Sequence, residues 1–304
     1  MKKMPLVFVI TLNWNRKYDT EECVDSLLQM TYPNFEIVVV DNGSEDGSVE
    51  YLKEKFGDKI HIVANEKNLG YSEGFNSGIN YGMERGAHYF LIVNNDTKID
   101  KEALTELVRV AETDPKIGFV SGKVYFYDRP EVIQTVGKRS HPITLVGPHV
   151  GAGEVDKGQY DEIKEYEFID DVFLLVRREV VEKIGGYDKI FFLYWEETDW
   201  CARLRKAGYK ILYTPHAKIW HKGSLSSGGG MNPLNTFWIT RNRYIFIKRH
   251  GNLEQWRYFL LWNYFYNIPR TLAVRVLKGK FSLAFSFIKG NLAGLSWVLK
   301  NKEG

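Results

Sequence analysis

Short apolar segments alternate with helical patterns through the first 125 residues of this 304-residue chain. A short run of β-branched and aromatic residues is typical of a buried strand, whereas apolar residues three or four positions apart indicate a helix. Strands that alternate with helices predict a mostly parallel sheet flanked by helices, an α/β fold. The predicted strands are Leu6–Leu12, Phe35–Val40, Ile60–Ala64, His88–Val93 and Ile117–Tyr125.

The composition, with 44% apolar and 26% charged residues, is that of an ordinary globular protein. Its two cysteines, Cys23 and Cys201, lie in helical patterns among apolar neighbours. This favours buried thiols over a disulfide and fits a reducing cytoplasm. Met1 and two lysines lead directly into the first strand pattern, so the sequence predicts no signal peptide. We expect no nucleic-acid partner.

The second part of the chain has a weaker pattern. From Asp128 to about Glu165 it is rich in glycine, proline and histidine, which is typical of surface loops that shape a substrate cleft. Two further strands are predicted at Glu167–Arg177 and Tyr209–Thr214. The Ser/Gly-rich segment Gly223–Gly230 is predicted to be a flexible loop.

Charge divides the chain into two unequal parts. From Phe237 to the end there are twelve Lys and Arg residues against two Asp and Glu, a net charge of +10, and the preceding residues carry −7. The segment Leu234–Leu299 also has the pattern of basic helices rich in aromatic residues, which we predict as a C-terminal helical appendage. A split of this kind indicates a different partner for each part.

Polar residues follow three of the predicted strands at the points where those strands end. Leu12-Asn13-Trp14 ends the first strand, Asp41 ends the second, and Asn94-Asn95-Asp96 follows His88–Val93. Ligands of open α/β sheets bind beyond the carboxyl ends of the strands. A carboxylate there can hold a divalent cation and, through it, a diphosphate. The glycine fingerprint of dinucleotide-binding folds does not follow the first strand.

Two adjacent carboxylates, Glu196 and Glu197, open a predicted helix directly after an aromatic run. Neither has a basic residue four positions later, whereas Asp199 is predicted to pair with Arg203 on the helix surface. Burial among the aromatic side chains is predicted to raise the pKa of at least one glutamate. A raised pKa suits a general base.

Glycine recurs every four residues in one segment, which on a helix would form a single bare stripe. Each glycine inside a helix costs about 0.5–1 kcal/mol relative to alanine. The pattern therefore predicts close approach of the helix backbone to the sheet. The glycines are Gly70, Gly74, Gly78, Gly82 and Gly86.

These motifs occur in the order seen in family 2 glycosyltransferases, which the chain resembles from about residue 7 to 224. Within that family it most resembles the rhamnosyltransferase-like branch. The resemblance implies a Rossmann-like GT-A fold. It also implies inverting transfer of a sugar from a nucleoside-diphosphate donor, dTDP-rhamnose or a UDP-hexose, to a hydroxyl group. The motifs are Leu12-Asn-Trp-Asn15, Val40-Asp41-Asn-Gly-Ser44, Asn68-Leu-Gly70, Asn94-Asn-Asp96, Gly185-Gly-Tyr-Asp188 and the Glu196 helix.

The resemblance assigns donor-binding roles to the strand ends. The turn Leu12-Asn13-Trp14 would line the nucleobase, with the Trp14 ring stacked on it; the alternative is that Trp14 belongs to the core. Asp41 would accept hydrogen bonds from the base or ribose. Of the glycine-rich segment, Asn68 and Gly70 would contact the nucleotide.

The resemblance also implies a divalent cation, Mg²⁺ or Mn²⁺, on Asp96, with Asn94 and Asn95 beside it at the donor. The family more often has two acids in this motif, so this chain has one fewer anion and needs further ligands. His221 matches a C-terminal histidine that serves this purpose in some relatives. The alternative is a surface histidine without a ligand role.

The catalytic base implied by the resemblance is Glu197, which stands where the family usually has an aspartate, with Glu196 beside it. Because glutamate is one methylene longer than aspartate, Glu196 stays open as the alternative base. We predict a catalytic domain at 1–232, with a nucleotide-binding half (about 1–125) and an acceptor-binding half (about 126–232). The basic, aromatic helical region is predicted at 233–304.

The expected acceptor is a glycan or a lipid-linked glycan. The helical region has two alternatives: it lies on an anionic membrane, which would make a cytoplasmic protein peripheral on the inner face of the cell membrane, or it packs on the catalytic domain. A span by residues 281–299 is disfavoured by Lys289, Gly290 and Asn291 at its centre.

Two other functions remain as alternatives to glycosyl transfer: a catalytically weak sugar-nucleotide-binding protein and a sugar-phosphate nucleotidyltransferase. The second would need a Gly-rich, Arg-containing loop after the first strand, which the segment 13–17 does not provide. A processive polysaccharide synthase would need transmembrane helices and a Gln-x-x-Arg-Trp motif. The sequence Gln255-Trp-Arg257 has the wrong order.

Overall fold

A computed structural model of the protein describes residues 4–142, 144–223 and 231–301, so residues 224–230 of the predicted flexible loop lie outside the described residues. The strands are β1 (Val7–Asn13), β2 (Phe35–Asp41), β3 (His61–Ala64), β4 (Tyr89–Asn94), β5 (Thr97–Ile99), β6 (Ile117–Phe126), β7 (Ile133–Thr135), β8 (Lys138–His141), β9 (Leu145–His149), β10 (Lys164–Glu165), β11 (Phe173–Arg177) and β12 (Lys210–His221). The helices are α1 (Lys17–Leu27), α2 (Ser48–Phe56), α3 (Gly70–Glu84), α4 (Ala103–Ala111), α5 (Arg178–Ile184), α6 (Glu196–Lys206), α7 (Pro233–His250), α8 (Leu253–Trp262), α9 (Ile268–Leu277) and α10 (Phe281–Lys300). A 3-10 turn (Gly57–Lys59) follows α2, and a π-helical turn (Asn263–Asn267) joins α8 to α9.

The central sheet has the strand order β10-β12-β6-β11-β4-β1-β2-β3, with β5 paired to β12 and β7 to β6. Pairing is parallel among β1, β2, β3 and β4, as the alternating pattern predicts. Strand β11 runs antiparallel to both β4 and β6, while β12 is parallel to β6. The predicted α/β fold is confirmed, and its second half is a mixed sheet.

The sheet separates two apolar layers, because successive side chains of a strand point to opposite faces. On β1, Phe8 and Ile10 face the layer that holds α3, α5 and α6. Val7 and Val9 face the other layer, which holds α1, α2 and α4. The parallel strands β1, β2 and β4 thus have helices on both sides, and their carboxyl ends meet at one edge.

Helix α3 lies unusually close to the sheet, as the glycine stripe predicts. A Cβ atom on Gly78 would lie 2.4 Å from Cγ2 of Ile10, and Cβ atoms on Gly74 and Gly82 would be crowded by other side chains of β1. Contacts that short are not tolerated, so glycine is required at these positions. Gly86 is different: it lies beyond the end of α3 with φ of +76° and open space around it, where it ends the helix.

The region predicted as surface loops, 128–165, contains regular structure. Strands β8 and β9 form a separate hairpin, β7 extends the main sheet beside β6, and β10 pairs with β12. These strands are two to five residues long, so they lack the long apolar alternation by which a strand is recognised in sequence. The hairpin brings Lys138 to the middle of the molecule, where it is buried.

The C-terminal helices pack on the rest of the protein through α7. Residues 244–247 of α7 are buried, and α10 lies along α7 at two small residues, Gly290 and Gly294. Tyr244 donates a hydrogen bond to Asn291 over 3.0 Å, so the polar centre of α10 is satisfied inside this interface. Helix α7 therefore packs on the catalytic part of the chain, as the second alternative predicts, and α10 packs on α7. Both cysteines are buried and free, as predicted.

Candidate functional site

The ends of β1 and β2 are joined by buried polar side chains. Asn13 and Asp41 are directly opposite in the parallel register, and Asn13 Nδ2 donates to Asp41 Oδ2 over 2.7 Å. The other carboxylate oxygen accepts from the backbone N–H of Ser44 over 2.9 Å. Trp14, one residue beyond the strand, is 39% exposed. The alternative that Trp14 belongs to the core is wrong, and its ring is available at the sheet edge.

A second polar group connects this edge to the start of α3. Asn42, one residue after β2, donates to the Asn68 side chain over 3.1 Å and to the carbonyl of Gly70 over 3.0 Å. Gly70 has φ of +83°, and a Cβ atom there would lie 2.5 Å from the ring of Phe192. The predicted residues Asn68 and Gly70 therefore lie beside the strand ends. Asn42 is a further member of this group to which the sequence pattern assigned no role.

The side chains of Asn94 and Asn95 make different contacts. Asn94 Oδ1 accepts a hydrogen bond from the hydroxyl of Tyr71 over 3.0 Å. Asn95 is buried and donates to Thr20 over 2.9 Å, and Thr20 in turn donates to Asn13 over 2.8 Å. Asn95 is therefore part of the polar link between β4 and β1, whereas Asn94 faces α3.

Asp96 and His221 are brought together by strand pairing. Strand β5 runs antiparallel to the end of β12, and His221 lies opposite Thr97. Both side chains are buried, with His221 Nε2 3.1 Å from Asp96 Oδ1. The predicted pairing of these two residues across more than a hundred positions of sequence is therefore present. His221 is not a surface histidine.

The geometry of this pair fits a cation. The Nδ1 atom of His221 lies 2.7 Å from the side-chain oxygen of Gln134, which orients the ring. Its Nε2 atom is buried and lacks an aligned hydrogen bond among the described residues, although the Asp96 carboxylate is close. An imidazole nitrogen and a carboxylate oxygen are both ligands of divalent metals. Among the described residues no group of three or more His, Cys, Asp and Glu is arranged to hold a metal ion, so further ligands would come from a diphosphate and water.

Four carboxylates gather at the start of α6 and in the segment before β11. Glu196 is buried, and Glu197 is half-buried beside it. Asp170 and Asp171 immediately precede the turn into β11. Lys138 from β8 lies between them, with its ammonium 2.5 Å from Glu197 Oε1 and 2.8 Å from Asp170 Oδ1. One buried cation thus compensates part of the negative charge.

The cluster shifts the titration of its members in opposite directions. Burial, together with the charges of Glu197 and Asp171, raises the pKa of Glu196 well above its usual range. Burial and the charge of Glu197 also raise the pKa of Asp171, against the hydrogen bond that Tyr187 donates to it. Burial alone would raise the pKa of Asp170, but Lys138 and His149, whose Nδ1 lies 2.9 Å from Asp170 Oδ2, together hold this pKa below its ordinary value. The predicted rise for one glutamate is borne out for Glu196.

The backbone before the glutamates is strained. Tyr194 and Trp195 have φ of 66° and 75°, in the left-handed region that bulky residues rarely adopt. Asn242 of α7, which is buried, donates to the carbonyls of Leu193 and Tyr194 over 3.0 and 2.9 Å. Such strain persists only where surrounding structure holds it, and here α7 does so. Helix α7 is therefore part of the support of this site.

Asp199 forms an internal link between α6 and α7, not the predicted pair on the helix surface. It is fully buried; Arg203 donates to it over 2.7 Å, and His250 of α7 lies 2.8 Å away. Burial alone would raise the pKa of Asp199, but His250 and Arg203 hold it below its ordinary value. The i,i+4 spacing correctly predicted that Arg203 pairs with Asp199. It contains no information about α7, which covers the pair.

Sequence reasoning missed four members of this site: Lys138, Asp170, Asp171 and Tyr71. A signal existed for the aspartates, since two adjacent acids directly precede the apolar run 172–176. Lys138 had none, because it lies in a segment without clear periodicity. Tyr71 lies between the end of β4 and the acid cluster, and its hydroxyl donates a hydrogen bond to Asn94. Burial, and then the charges of Asp171, Glu196 and Glu197, raise the pKa of Tyr71.

Residues 8–185 match the sequence model of the family described as Glycosyl transferase family 2. The chain belongs to this family. It is 27% identical over 195 residues to the low-salt glycan biosynthesis hexosyltransferase Agl10 of Haloferax volcanii, which covers 64% of this chain and 61% of that protein. It is 25% identical over 211 residues to a poly-beta-1,6-N-acetyl-D-glucosamine synthase of Staphylococcus aureus, covering 68% and 47%. The chain thus spans less than two thirds of the length of either relative.

The fold of this family 2 glycosyltransferase is similar to that of a solved archaeal enzyme. The mannosyltransferase PcManGT of Pyrobaculum calidifontis, whose structure is a complex with GDP-Man and Mn²⁺, matches with a TM-score of 0.59 at 15% identity. The match covers 97% of this chain and 88% of that one. This confirms the GT-A fold together with its C-terminal helices. The rhamnosyltransferase-like branch stays a prediction.

Replacing Lys138 by methionine should destabilise this glycosyltransferase by about 3–5 kcal/mol at pH 7, because Glu197 would lose its buried partner and Asp170 would keep only His149. The pKa of Asp170 is lowered in the folded protein, so this stabilisation is present above its ordinary value of 3.8 and is lost as the pH falls below it. Urea unfolding followed by circular dichroism at pH 7 and at about pH 3, below the ordinary pKa of Asp170, measures both effects. The double variant Lys138→Met/Glu197→Gln should be less destabilised than Lys138→Met alone. A loss under about 1 kcal/mol at pH 7 would contradict a structural role for the pair.

Proposed function

We propose that this protein is an inverting glycosyltransferase that moves a sugar from a nucleoside-diphosphate sugar to a hydroxyl group of a glycan or lipid-linked glycan. One observation carries the proposal. The Asp96–His221 pair and the Glu196–Glu197 cluster flank the carboxyl end of β4, and Tyr71 connects Asn94 of that strand to the cluster. The residues proposed to hold the diphosphate and to accept the proton thus lie at one edge of the sheet, which supports a direct displacement.

The donor nucleotide is assigned to the ends of β1 and β2. The exposed ring of Trp14 is suited to stack on a base, which is worth roughly 1–3 kcal/mol. Leu12, Asn13 and Asp41 line the same edge, with Asn68 and Gly70 beside it at the start of α3. For the sugar nucleotide we retain dTDP-rhamnose or a UDP-hexose. A hexosyltransferase among the relatives supports the hexose class.

Asp96 and His221 are proposed to hold Mg²⁺ or Mn²⁺. When bound, the cation supplies positive charge to the diphosphate that leaves with the nucleoside. Support comes from the buried Nε2 atom of His221 without an aligned partner and from the Mn²⁺ in the structure of PcManGT. Asn94 and Asn95 carry no charge, so the second negative ligand common in the family is replaced here by the imidazole and the diphosphate itself.

Glu197 is proposed as the base that removes the proton of the acceptor hydroxyl. It is the more accessible of the two glutamates, and Lys138 and Thr198 hold the same oxygen, Oε1, which leaves Oε2 for the acceptor. The second glutamate, Glu196, has a raised pKa and lies deeper. A single displacement without a protein nucleophile inverts the configuration of the transferred sugar.

The C-terminal helices are proposed to bring the protein to the inner, cytoplasmic face of the cell membrane. Large apolar side chains of α9, α10 and the π-helical turn are open to solvent: Leu277 is 86% exposed, Phe265 80% and Phe281 65%. Arginines and lysines lie among them, and a surface of this kind binds anionic lipid. By length and composition α10 is, among the described helices, the one that could cross a membrane, but its polar centre is packed on α7. We therefore propose a peripheral position, with 1–232 as the catalytic domain and 233–304 as the membrane-facing region.

Replacing Asp96 by alanine should abolish metal-dependent hydrolysis of the donor and lower the affinity for Mn²⁺ in the presence of nucleoside diphosphate at least about tenfold; His221→Ala should lower it in the same direction. Electron paramagnetic resonance of free Mn²⁺ measures this affinity without requiring turnover. Asp100→Asn is the matched control, since Asp100 is an acid four residues later in the chain whose carboxylate accepts a hydrogen bond from the backbone N–H of Glu102. Unchanged metal dependence in Asp96→Ala would show that the cation binds elsewhere.

Glu197→Gln should lower turnover at least about 100-fold with donor binding nearly unchanged, because general-base catalysis contributes that much. Glu196→Gln should have the smaller effect. Release of nucleoside diphosphate, measured with a panel of nucleotide sugars and hydroxyl acceptors, gives turnover, and calorimetry gives donor affinity. If the two variants rank in the opposite order, the base is Glu196.

The protein should co-sediment with phosphatidylglycerol vesicles, bind phosphatidylcholine vesicles poorly, and be released by about 0.5 M salt, because screening weakens attraction to an anionic surface. The variant Phe265→Ser/Leu277→Ser should lose most of this binding. The matched control is Val155→Ser/Ile163→Ser, which removes two exposed apolar side chains far from the C-terminal helices in sequence. Equal loss in both variants, or none in either, would contradict the membrane proposal. A chain ending at residue 232 is unsuitable here, because it would expose the core that α7 covers.

A further inference from the structure

A cavity lies among the C-terminal helices, away from the ends of β1, β2 and β4. It has a volume of about 350 Å³ and is enclosed by α7, α8, the π-helical turn, α9 and α10. Its wall is partly apolar, with Ile239, Phe259, Val274 and Phe287. The rest of the wall is polar and includes three arginines, Arg243, Arg270 and Arg275.

The positive charge of this cavity is not compensated. None of the side chains that line it is acidic, and after residue 236 the whole sequence has only two acids, Glu254 and Glu303. Arg275 donates to the carbonyl of Leu283 over 2.8 Å, which is a neutral partner. Three guanidinium groups without a carboxylate repel one another, and a bound anion would relieve this.

Arg243 is the most exceptional of the three. Its guanidinium lies 5.7 Å from the ring centre of Trp195 and 5.8 Å from that of Trp262, and it makes no hydrogen bond or ion pair within the described part of the chain. Burial lowers its pKa, so the charge is held in a costly environment. Arginine presents five N–H donors in a planar fork that fits phosphate oxygens. Here the guanidinium of Arg243 has no hydrogen-bond acceptor among the residues that the structure describes.

Neutral donors line the same space. Thr236 is only 3% exposed, and its hydroxyl has no hydrogen-bond partner among the described residues. Asn263 and Asn267 also line the cavity, and they belong to a buried chain of hydrogen bonds with Tyr244 and Asn291. A buried hydroxyl without a partner costs free energy unless a ligand satisfies it. Arginine and hydroxyl donors that converge in one cavity are the chemistry of a phosphate site.

The cavity opens on the apolar surface of the C-terminal helices and is close to the acidic site. Arg270 and Val274 line it and are themselves exposed on α9. Toward the protein interior, Arg243 stacks near Trp195, which directly precedes Glu196. A ligand with a charged head in the cavity could therefore keep an apolar chain on the outer surface. Its head would then be separated from Glu196 by the side chains of Arg243 and Trp195.

We propose that this cavity binds the phosphate or diphosphate group of an amphipathic, lipid-linked acceptor. The proposal rests on the glycosyltransferase function for the identity of the acceptor, but the binding itself does not require the reaction. Arg243 and Arg270 pair with the phosphate, Thr236 donates to it, and the lipid chain lies along the exposed side chains of α9 and α10. Free inorganic phosphate would lack the apolar part of this interaction, and a neutral isoprenoid would lack the charged part.

The test is calorimetric titration of the full-length protein with farnesyl phosphate, farnesol and inorganic phosphate. Farnesyl phosphate should bind at least about tenfold more tightly than either of the other probes, because it alone contacts both the arginines and the apolar side chains of the site. Arg243→Gln should weaken its binding at least about tenfold, as should Arg270→Gln, since each removes a charged hydrogen-bond donor. Thr236→Val, which keeps the shape of the side chain, should weaken binding roughly three- to tenfold.

The matched control is Arg257→Gln, which removes the same charge from exposed α8 outside the cavity and should leave binding unchanged. Thermal unfolding identifies any variant that fails to fold. Because Arg270 is exposed, Arg270→Gln should fold normally and tests the proposal even if Arg243→Gln does not fold. Absence of binding by the wild-type protein, equal binding of inorganic phosphate, or equal loss in Arg257→Gln would each overturn the proposal. Donor hydrolysis without acceptor reports on the glycosyltransferase function separately, so the two proposals can fail independently.

Discussion

The close contact between α3 and β1 is the constraint on which the site depends. Because Gly74, Gly78 and Gly82 have no side chains, the helix backbone lies directly on the strand. The start of the helix at Gly70 is then pressed against Phe192, and the backbone N–H of Tyr71 donates to the Phe192 carbonyl over 2.8 Å. The aromatic run before Glu196 is thereby tied to the same edge as the strand ends. Packing between helix and sheet sets the distance between the ends of the parallel strands and the acid cluster.

Charge balance inside the acid cluster is provided by a lysine of a distant hairpin, and His149 of that hairpin also contacts Asp170. Four carboxylates could not all stay ionised in a buried space, and their mutual repulsion is visible in the raised pKa values of Glu196 and Asp171, which burial raises in the first place. Lys138 compensates the charge of Asp170 and contacts Glu197. The cluster thus contains carboxyl groups whose pKa values are shifted in opposite directions, a pattern that recurs in sites of proton transfer.

The C-terminal helices combine support of the site with an exposed surface of their own. Helix α7 holds the strained turn at Tyr194 and Trp195 through Asn242, and it covers Asp199 through His250. Helices α9 and α10 present apolar and basic side chains outward. The same segment therefore connects an outer surface to the glutamates, and a cavity with three arginines lies between them. A transferase that takes a lipid-linked acceptor needs such a connection, because the acceptor hydroxyl must leave the membrane surface to reach the base.

The amino-acid sequence determined the local elements and the identity of the strand-end residues, because both depend on neighbours a few positions apart. The strands of the first half, the glycine stripe, Asp41, Asp96 and the Glu196–Glu197 pair were all recognisable in this way. The tertiary structure decided which distant residues meet. It placed Lys138 beside Glu197 through a hairpin without periodic pattern, and buried Asp199 under a helix that begins 34 residues later. These contacts depend on packing between elements far apart in the chain. A pattern of neighbouring residues does not show which distant elements will lie against each other.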